Sequence, residues 1–199
     1  MKMAGSCGSV PIKERDTATP PSGILLPHLV SPPAAVRQVL AAHAVRDCIH
    51  IVEIGGAGLP ITGFLTNRPE TVTVIDPKIP EFAATSLNGA PCRVHHRAAK
   101  IQEVEIVPAG PYALVLLGLS LKPYGALGAI PPELLALAAG ADVLVIDYAL
   151  ELERAQGQIG VLTATRLAPP TIDLSLTIND AAVRASGFDR RRFLVFDRS

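Results

Sequence analysis

The residues best placed to do chemistry are Glu53, the turn Gly55-Gly56-Ala57-Gly58 and Asp76. The apolar run from Ile51 to Ile54 breaks into glycines, and a second run, Thr71 to Ile75, ends on a carboxylate. A buried parallel strand ending at Ile54 delivers the turn to the carboxyl edge of a sheet. There, small residues let a ligand approach the backbone, and a following helix aims its N–H groups outward. Pro60 suits the first turn of that helix. Asp76 then closes the next strand at the same edge, roughly 20 residues after the glycines, where a carboxylate accepts the two hydroxyls of a ribose. Glu53 is costly to bury inside an apolar strand without partners, so it is predicted to bond the turn's own amides or a cationic ligand group. A dinucleotide fingerprint also asks for a glycine at the sixth place of the turn. Pro60 or Ile61 stands there, which disfavours close docking of the pyrophosphate of NAD or FAD.

On these residues the chain resembles the class I S-adenosylmethionine-dependent methyltransferases. In that family the first strand ends in an acidic residue, one apolar residue and a glycine-rich turn, matched here by Glu53, Ile54 and Gly55 to Gly58. The acid that holds the ribose is matched by Asp76. The resemblance runs over about residues 33–197 and takes in Ala185-Ser-Gly-Phe188, similar to the end of the family's last helix. It implies a doubly wound α/β domain, a mostly parallel sheet with helices on both faces. It implies S-adenosylmethionine as cofactor, with Glu53, Gly55, Gly56, Ala57, Gly58 and Asp76 as the residues that bind it. The fourth strand, Ala113 to Leu121, has neither the acidic nor the Asn-Pro-Pro motif of members that methylate nucleic acid or protein, so the implied acceptor is a small molecule. A sulfonium methyl is already activated, and holding the acceptor in line with it supplies acceleration by proximity and orientation. Two other readings stay open: a non-catalytic binding or assembly module on the same fold, and an NAD- or FAD-dependent oxidoreductase.

Beyond the turn, candidate side chains are few. Asp147 and Tyr148 fall at the carboxyl end of the fifth strand, facing the same crevice, although Asp147 also reads as a helix cap. Ser120 and Tyr124 follow the fourth strand, and His28 precedes the first helix; these five form the expected substrate pocket. Gly118-Leu-Ser120 lacks the frame of a hydrolase nucleophile elbow. His95 and His96 are adjacent on a strand, so they point to opposite faces and do not chelate one metal. His43 and His50 read as structural. Cys7, Cys48 and Cys92 have no metal or disulfide spacing, which fits a reducing cytoplasm. Arg190-Arg-Arg192 reads as a solvated approach to the last strand rather than a phosphate patch.

These residues must be carried by alternating elements. The helix Ala34–His43 offers Val36, Val39 and Leu40 on one face. Strands are expected at 51–54, 72–75, 92–95, 112–121, 142–147 and 192–196, and helices at 98–104, 132–139 and 179–186. Residues 77–87 read as a loop or short helix, 149–155 as a helix, 158–165 as an extended segment and 167–171 as a loop. Only one strand is evident after the last helix, so either 158–165 supplies another or the sheet is truncated at its last hairpin. Residues 1–22, rich in Gly, Ser, Thr and Pro, read as a mobile leader, and 23–199 as one domain. Lys plus Arg and Asp plus Glu each number 18, so no net field favours nucleic acid or an anionic membrane. The longest apolar run is far shorter than a membrane span.

Overall fold

The β-branched and aliphatic runs become strands, and one nine-stranded sheet dominates the molecule. The computed structural model describes residues 28–31, 35–56, 58–119, 130–150, 157–179, 181–185 and 189–197. In chain order the elements are β1 (His28–Ser31), α1 (Val36–Ala44), β2 (His50–Gly55), β3 (Thr71–Ile75), β4 (Phe82–Leu87), β5 (Ala90–Arg97) and β6 (Ala113–Leu119). They continue with α2 (Pro132–Gly140), β7 (Val143–Ala149), α3 (Gln158–Leu162), β8 (Ile172–Ile178), α4 (Ala181–Ala185) and β9 (Arg190–Asp197). The strand order is β1-β8-β9-β7-β6-β2-β3-β5-β4. Pairing is parallel through β7, β6, β2, β3 and β5 and between β1 and β8, but antiparallel where β9 meets β7 and β8 and where β4 meets β5.

This corrects the expectation of a doubly wound α/β domain. The sheet is mixed, and the described helices are few and short. The crossovers β2 to β3 and β5 to β6 contain single 3-10 turns, Ile61–Gly63 and Ile101–Glu103, in place of helices. Their composition explains this: Gly58, Pro60, Gly63 and Pro69 punctuate the first, and Pro108, Gly110 and Pro111 the second. Proline withholds an amide donor and glycine costs backbone entropy, so neither stretch sustains a helix. The link from β3 to β5 is a hairpin: Asn88 and Gly89 both take positive φ, 51° and 74°, as a two-residue primed turn demands. Within the expected loop or helix at 77–87, residues Phe82–Leu87 form strand β4 while 77–81 are a loop, and the expected helix at 98–104 is one 3-10 turn.

The core lies on both faces of the central strands. Val52, Ile54, Leu114, Leu116, Leu144 and Ile146 pack with α2 and α3 on one side, while Ile51, Ala113, Val115, Leu117 and Val145 pack with α1 and Ile61 on the other. Burial on both faces accounts for the unbroken apolar runs of β6 and β7. Three further readings change. Gln158–Leu162 is helical rather than extended, and the last hairpin is complete because Ile172–Ile178 forms β8. In α1 the buried residues are Gln38, Ala41 and Ala42, whereas Val39 is exposed. No described helix is long and apolar enough to cross a membrane. The leader assigned to 1–22 lies outside the described residues.

Candidate functional site

The chain changes direction across the sheet at β2: β3 and β5 lie on one side of it, β6 and β7 on the other. Outside the carboxyl ends of β2 and β6 such a reversal opens a crevice, the usual ligand position in open parallel sheets. Gly55 and Gly56 stand there opposite Leu117, which accepts the Gly56 amide at 2.8 Å. Gly55 has φ +87°, and a Cβ on it would run into the Leu117 carbonyl oxygen. Glycine is thus required at 55 by the neighbouring strand, before any ligand is considered. At Gly56 (φ +108°) a Cβ would meet Glu53 Oε1 at 2.8 Å. A Cβ on Gly58 (φ +83°) would meet the carbonyl oxygen and Cβ of Lys78 at ordinary contact distance.

Two carboxylates fasten this turn. Glu53 is fully buried, and its Oε2 accepts the Ile61 amide at 2.8 Å. The donor lies in the 3-10 turn just beyond Gly55–Gly58. Its Oε1 is buried without a hydrogen-bond partner. Loss of hydration pushes the Glu53 carboxyl up to about 8, opposed by the Ile61 amide and reinforced by the charge of Asp76. Asp76 accepts the Gly58 amide at 3.0 Å on Oδ2 and the Lys78 amide at 2.8 Å on Oδ1. The acid closing β3 and the glycine turn after β2 are therefore one bonded unit. A carboxylate has about four acceptor positions, so two remain on Asp76.

Asp147, expected at this crevice, has partners there that sequence reasoning did not foresee. Asp147, fully buried near the end of β7, accepts Arg191 Nε at 2.7 Å on Oδ1. On Oδ2 it accepts Arg191 Nη2 at 2.8 Å, Arg37 Nη1 at 3.1 Å and the Gly118 amide at 3.0 Å. Gly118 interrupts the register of β6 with φ +60°, and a Cβ there would press on Arg37 Nη1 at 3.2 Å. Next to Arg37 on α1, the buried Gln38 donates to the carbonyls of Gly56 and Leu59, both at 3.2 Å. The first turn of α1 thus reaches both the glycine turn and Asp147. Sequence reasoning missed Arg37 and Gln38 because they interrupt an apolar pattern and read as solvent-facing. It misread Arg191 and Arg192 as solvated, whereas Arg192 pairs with Asp173 through Nε at 2.9 Å and Nη2 at 2.8 Å. The signal available was the antiparallel pairing of a basic triplet with a strand carrying Asp147.

Of the residues expected to line a substrate pocket, Tyr148 and His28 are placed away from the crevice. Tyr148 is fully buried in the core on the face opposite Asp147, with Arg192 Nη1 donating to its hydroxyl at 3.4 Å. His28 opens β1 opposite Ser175; β8, β9, β7 and β6 separate that strand from β2, and strand direction puts its first residue at the rim away from the crevice. Asp147 does reach the crevice, as an ion-pair acceptor rather than a helix cap. Ser120, Tyr124 and Ala57 lie outside the described residues. His95 is exposed and His96 buried, as strand alternation requires, and burial lowers the His96 pKa. His50 bonds Thr71 Oγ1 at 2.9 Å at the start of β2, remote from the crevice. Cys48 and Cys92 are free thiols, and no metal-binding cluster occurs among the described residues. No protein-family model, curated protein or solved structure matches the chain.

Proposed function

We propose that the protein binds S-adenosylmethionine in the crevice outside β2, β3 and β6 and methylates a small molecule. The observation that carries the reading is the bond from the Gly58 amide to Asp76 at 3.0 Å, which joins a glycine turn to an acid beside a reversal of strand order. Such a unit suits an adenosyl ligand. The free acceptor positions of Asp76 would take ribose hydroxyls, and the glycine backbone would lie against the ligand with no side chain between. When bound, the cofactor supplies a sulfonium methyl that passes to the acceptor's lone pair as the sulfur–carbon bond breaks, leaving S-adenosylhomocysteine. The chain's own part is to hold the acceptor in line and exclude water. A non-catalytic binding module is the second reading, favoured by the commitment of Asp147 to two arginines, which removes it as a catalytic acid or base.

Thermal shift with S-adenosylmethionine, S-adenosylhomocysteine, NAD and FAD tests the ligand. A selective ligand at about a hundredfold over its dissociation constant stabilises the fold by about 2.7 kcal/mol. Stabilisation by the two S-adenosyl compounds alone is expected; stabilisation by NAD or FAD instead would replace the reading with an oxidoreductase. Incubation with labelled S-adenosylmethionine and a metabolite extract then looks for methylated products. Tight binding without product would favour the non-catalytic module.

A further inference from the structure

The two faces of β3 and β5 are covered unequally. On one, Val72, Val74, Cys92 and Val94 are buried with Ile61 and Leu65. On the other, Thr71 and Thr73 are half-buried, and Arg93, His95 and Arg97 are exposed. A crossover helix from β5 to β6 would lie over this second face, but the chain has a 3-10 turn and a loop there. Between that loop, at 106–109, and the strands is a cavity of about 190 Å³ lined by His50, Thr71, Thr73, Arg93 and His95. Strand register brings these side chains together. His50 stands opposite Thr71 and Thr71 opposite Arg93, while in the next row of the same face Thr73 stands opposite His95. His50 Nδ1 and Thr71 Oγ1 are 2.9 Å apart, and whichever of them donates, one hydrogen of the pair stays free, on the ring's Nε2 or on the hydroxyl. Arg93 makes no side-chain hydrogen bond or ion pair among the described residues, whereas Arg97, two places on, faces Glu81 at 3.9 Å. The described residues lining the cavity include no Asp or Glu. Exposure to water accounts for polar side chains on this face, but not for a guanidinium, hydroxyls and imidazoles converging on one cavity without an acid.

We propose that this cavity seats a phosphate group borne by a small molecule, with Arg93 as its cation and Thr71, Thr73, His50 and His95 as hydrogen-bond donors. A guanidinium takes two phosphate oxygens at once, and the hydroxyl and ring hydrogens serve the others. The volume is below the roughly 300–1,000 Å³ of pockets that enclose a whole ligand, so the phosphate is held and the rest of the molecule lies outside. The site is at the amino ends of β2 and β3, and the length of β2, about 16 Å, separates it from Gly55. It therefore does not rest on the methyl-transfer reading, and its test uses no S-adenosyl compound.

Calorimetric titration of the full chain with inorganic phosphate and phenyl phosphate, against acetate and benzoate, and with a short single-stranded oligonucleotide, reads the site directly. Phenyl phosphate is expected to bind saturably, about tenfold or more tighter than benzoate. Arg93→Gln is expected to weaken it by a similar factor, and Arg93→Lys, which keeps the charge but loses the fork, to fall between. Arg46→Gln removes an exposed charge just past α1, on the other face of the sheet, and is expected to bind as the unaltered protein does. The comparison of phosphate with carboxylate on the unaltered protein stands even if a variant folds poorly. Absence of saturable binding, equal binding of phenyl phosphate and benzoate, or unchanged affinity in a folded Arg93→Gln variant would overturn the proposal. An equal loss in Arg46→Gln would reduce the effect to diffuse charge and overturn the site. Binding confined to the oligonucleotide would overturn the ligand class.

Discussion

Glu53 couples the crevice to pH in a direction set by its burial. Its carboxyl is raised from 4.5 to about 8, so between those values the folded state holds a proton that the unfolded chain has released. Stability from this group is fully present below about 4.5, falls as pH rises through the window at up to about 1.4 kcal/mol per pH unit, and is flat above about 8. Glu53→Gln, a neutral isostere, should remove that slope: urea midpoints of the two proteins should agree near pH 5 and favour the variant near pH 8.5. A wild-type profile that is flat from pH 5 to 8 would contradict the burial argument. Asp76 fastens the turn by accepting two backbone amides. Asp76→Ala should cost about 1.5–3 kcal/mol for each bond lost to the charged group and weaken S-adenosyl ligands tenfold or more. Asp76→Asn keeps one acceptor and should lose affinity with a smaller loss of stability. Calorimetry beside chemical denaturation separates the two effects, and unchanged affinity in a folded variant would remove Asp76 from the site.

At the level of elements, the glycines divide by what surrounds them. Gly55→Ala puts a methyl group against the Leu117 carbonyl at a φ that L residues rarely adopt, so it should destabilise by more than the about 1–3 kcal/mol of backbone strain alone. A loss of ligand binding in that variant would report the broken β2–β6 junction rather than an occupied cradle. Gly160 is the control: it lies in α3 with open space around it and no positive φ, so Gly160→Ala should stabilise by about 0.5–1 kcal/mol. Thermal denaturation of both variants checks the contrast. The same local physics decided which elements were legible. Strands β2, β3, β6 and β7 could be read because their apolar runs end at glycine, proline or acid. Asn88-Gly89 carried the hairpin signal between β4 and β5, but the largely exposed strand before it, Phe82–Leu87, has no apolar alternation to announce itself. Strand β8 hid behind Pro169-Pro170, and the glycine- and proline-rich crossovers looked like helical α/β connections only by analogy with the family.

Across the whole molecule, what could not be read from sequence is what joins distant parts of the chain. Glu53, the glycines and Asp76 were found because β2 and β3 are consecutive and parallel, so spacing alone places their ends together. Arg37, Asp147 and Arg191 lie 110 and 44 residues apart along the chain, and no local pattern announces their meeting. Their cluster ties α1, β7 and β9 together at the rim of the sheet, where Gly118 of β6 also donates to Asp147. Asp147→Ala would take from Arg37 and Arg191 the carboxylate they share, and removing one partner of a buried ion cluster typically costs about 3–5 kcal/mol. The expected outcome is a large fall in the urea midpoint, with any loss of turnover following the loss of folded protein. Removing the charges together should behave differently. In Arg37→Met/Asp147→Leu/Arg191→Met the acid and both arginines go together, and apolar groups of similar volume commonly replace a buried ion cluster at little net cost, although the Gly118 amide loses its acceptor. The triple variant should therefore recover most of the stability lost in Asp147→Ala. If it is as unstable as the single variant, the cluster holds the rim together through the geometry of its hydrogen bonds, and charge balance is not what its members supply.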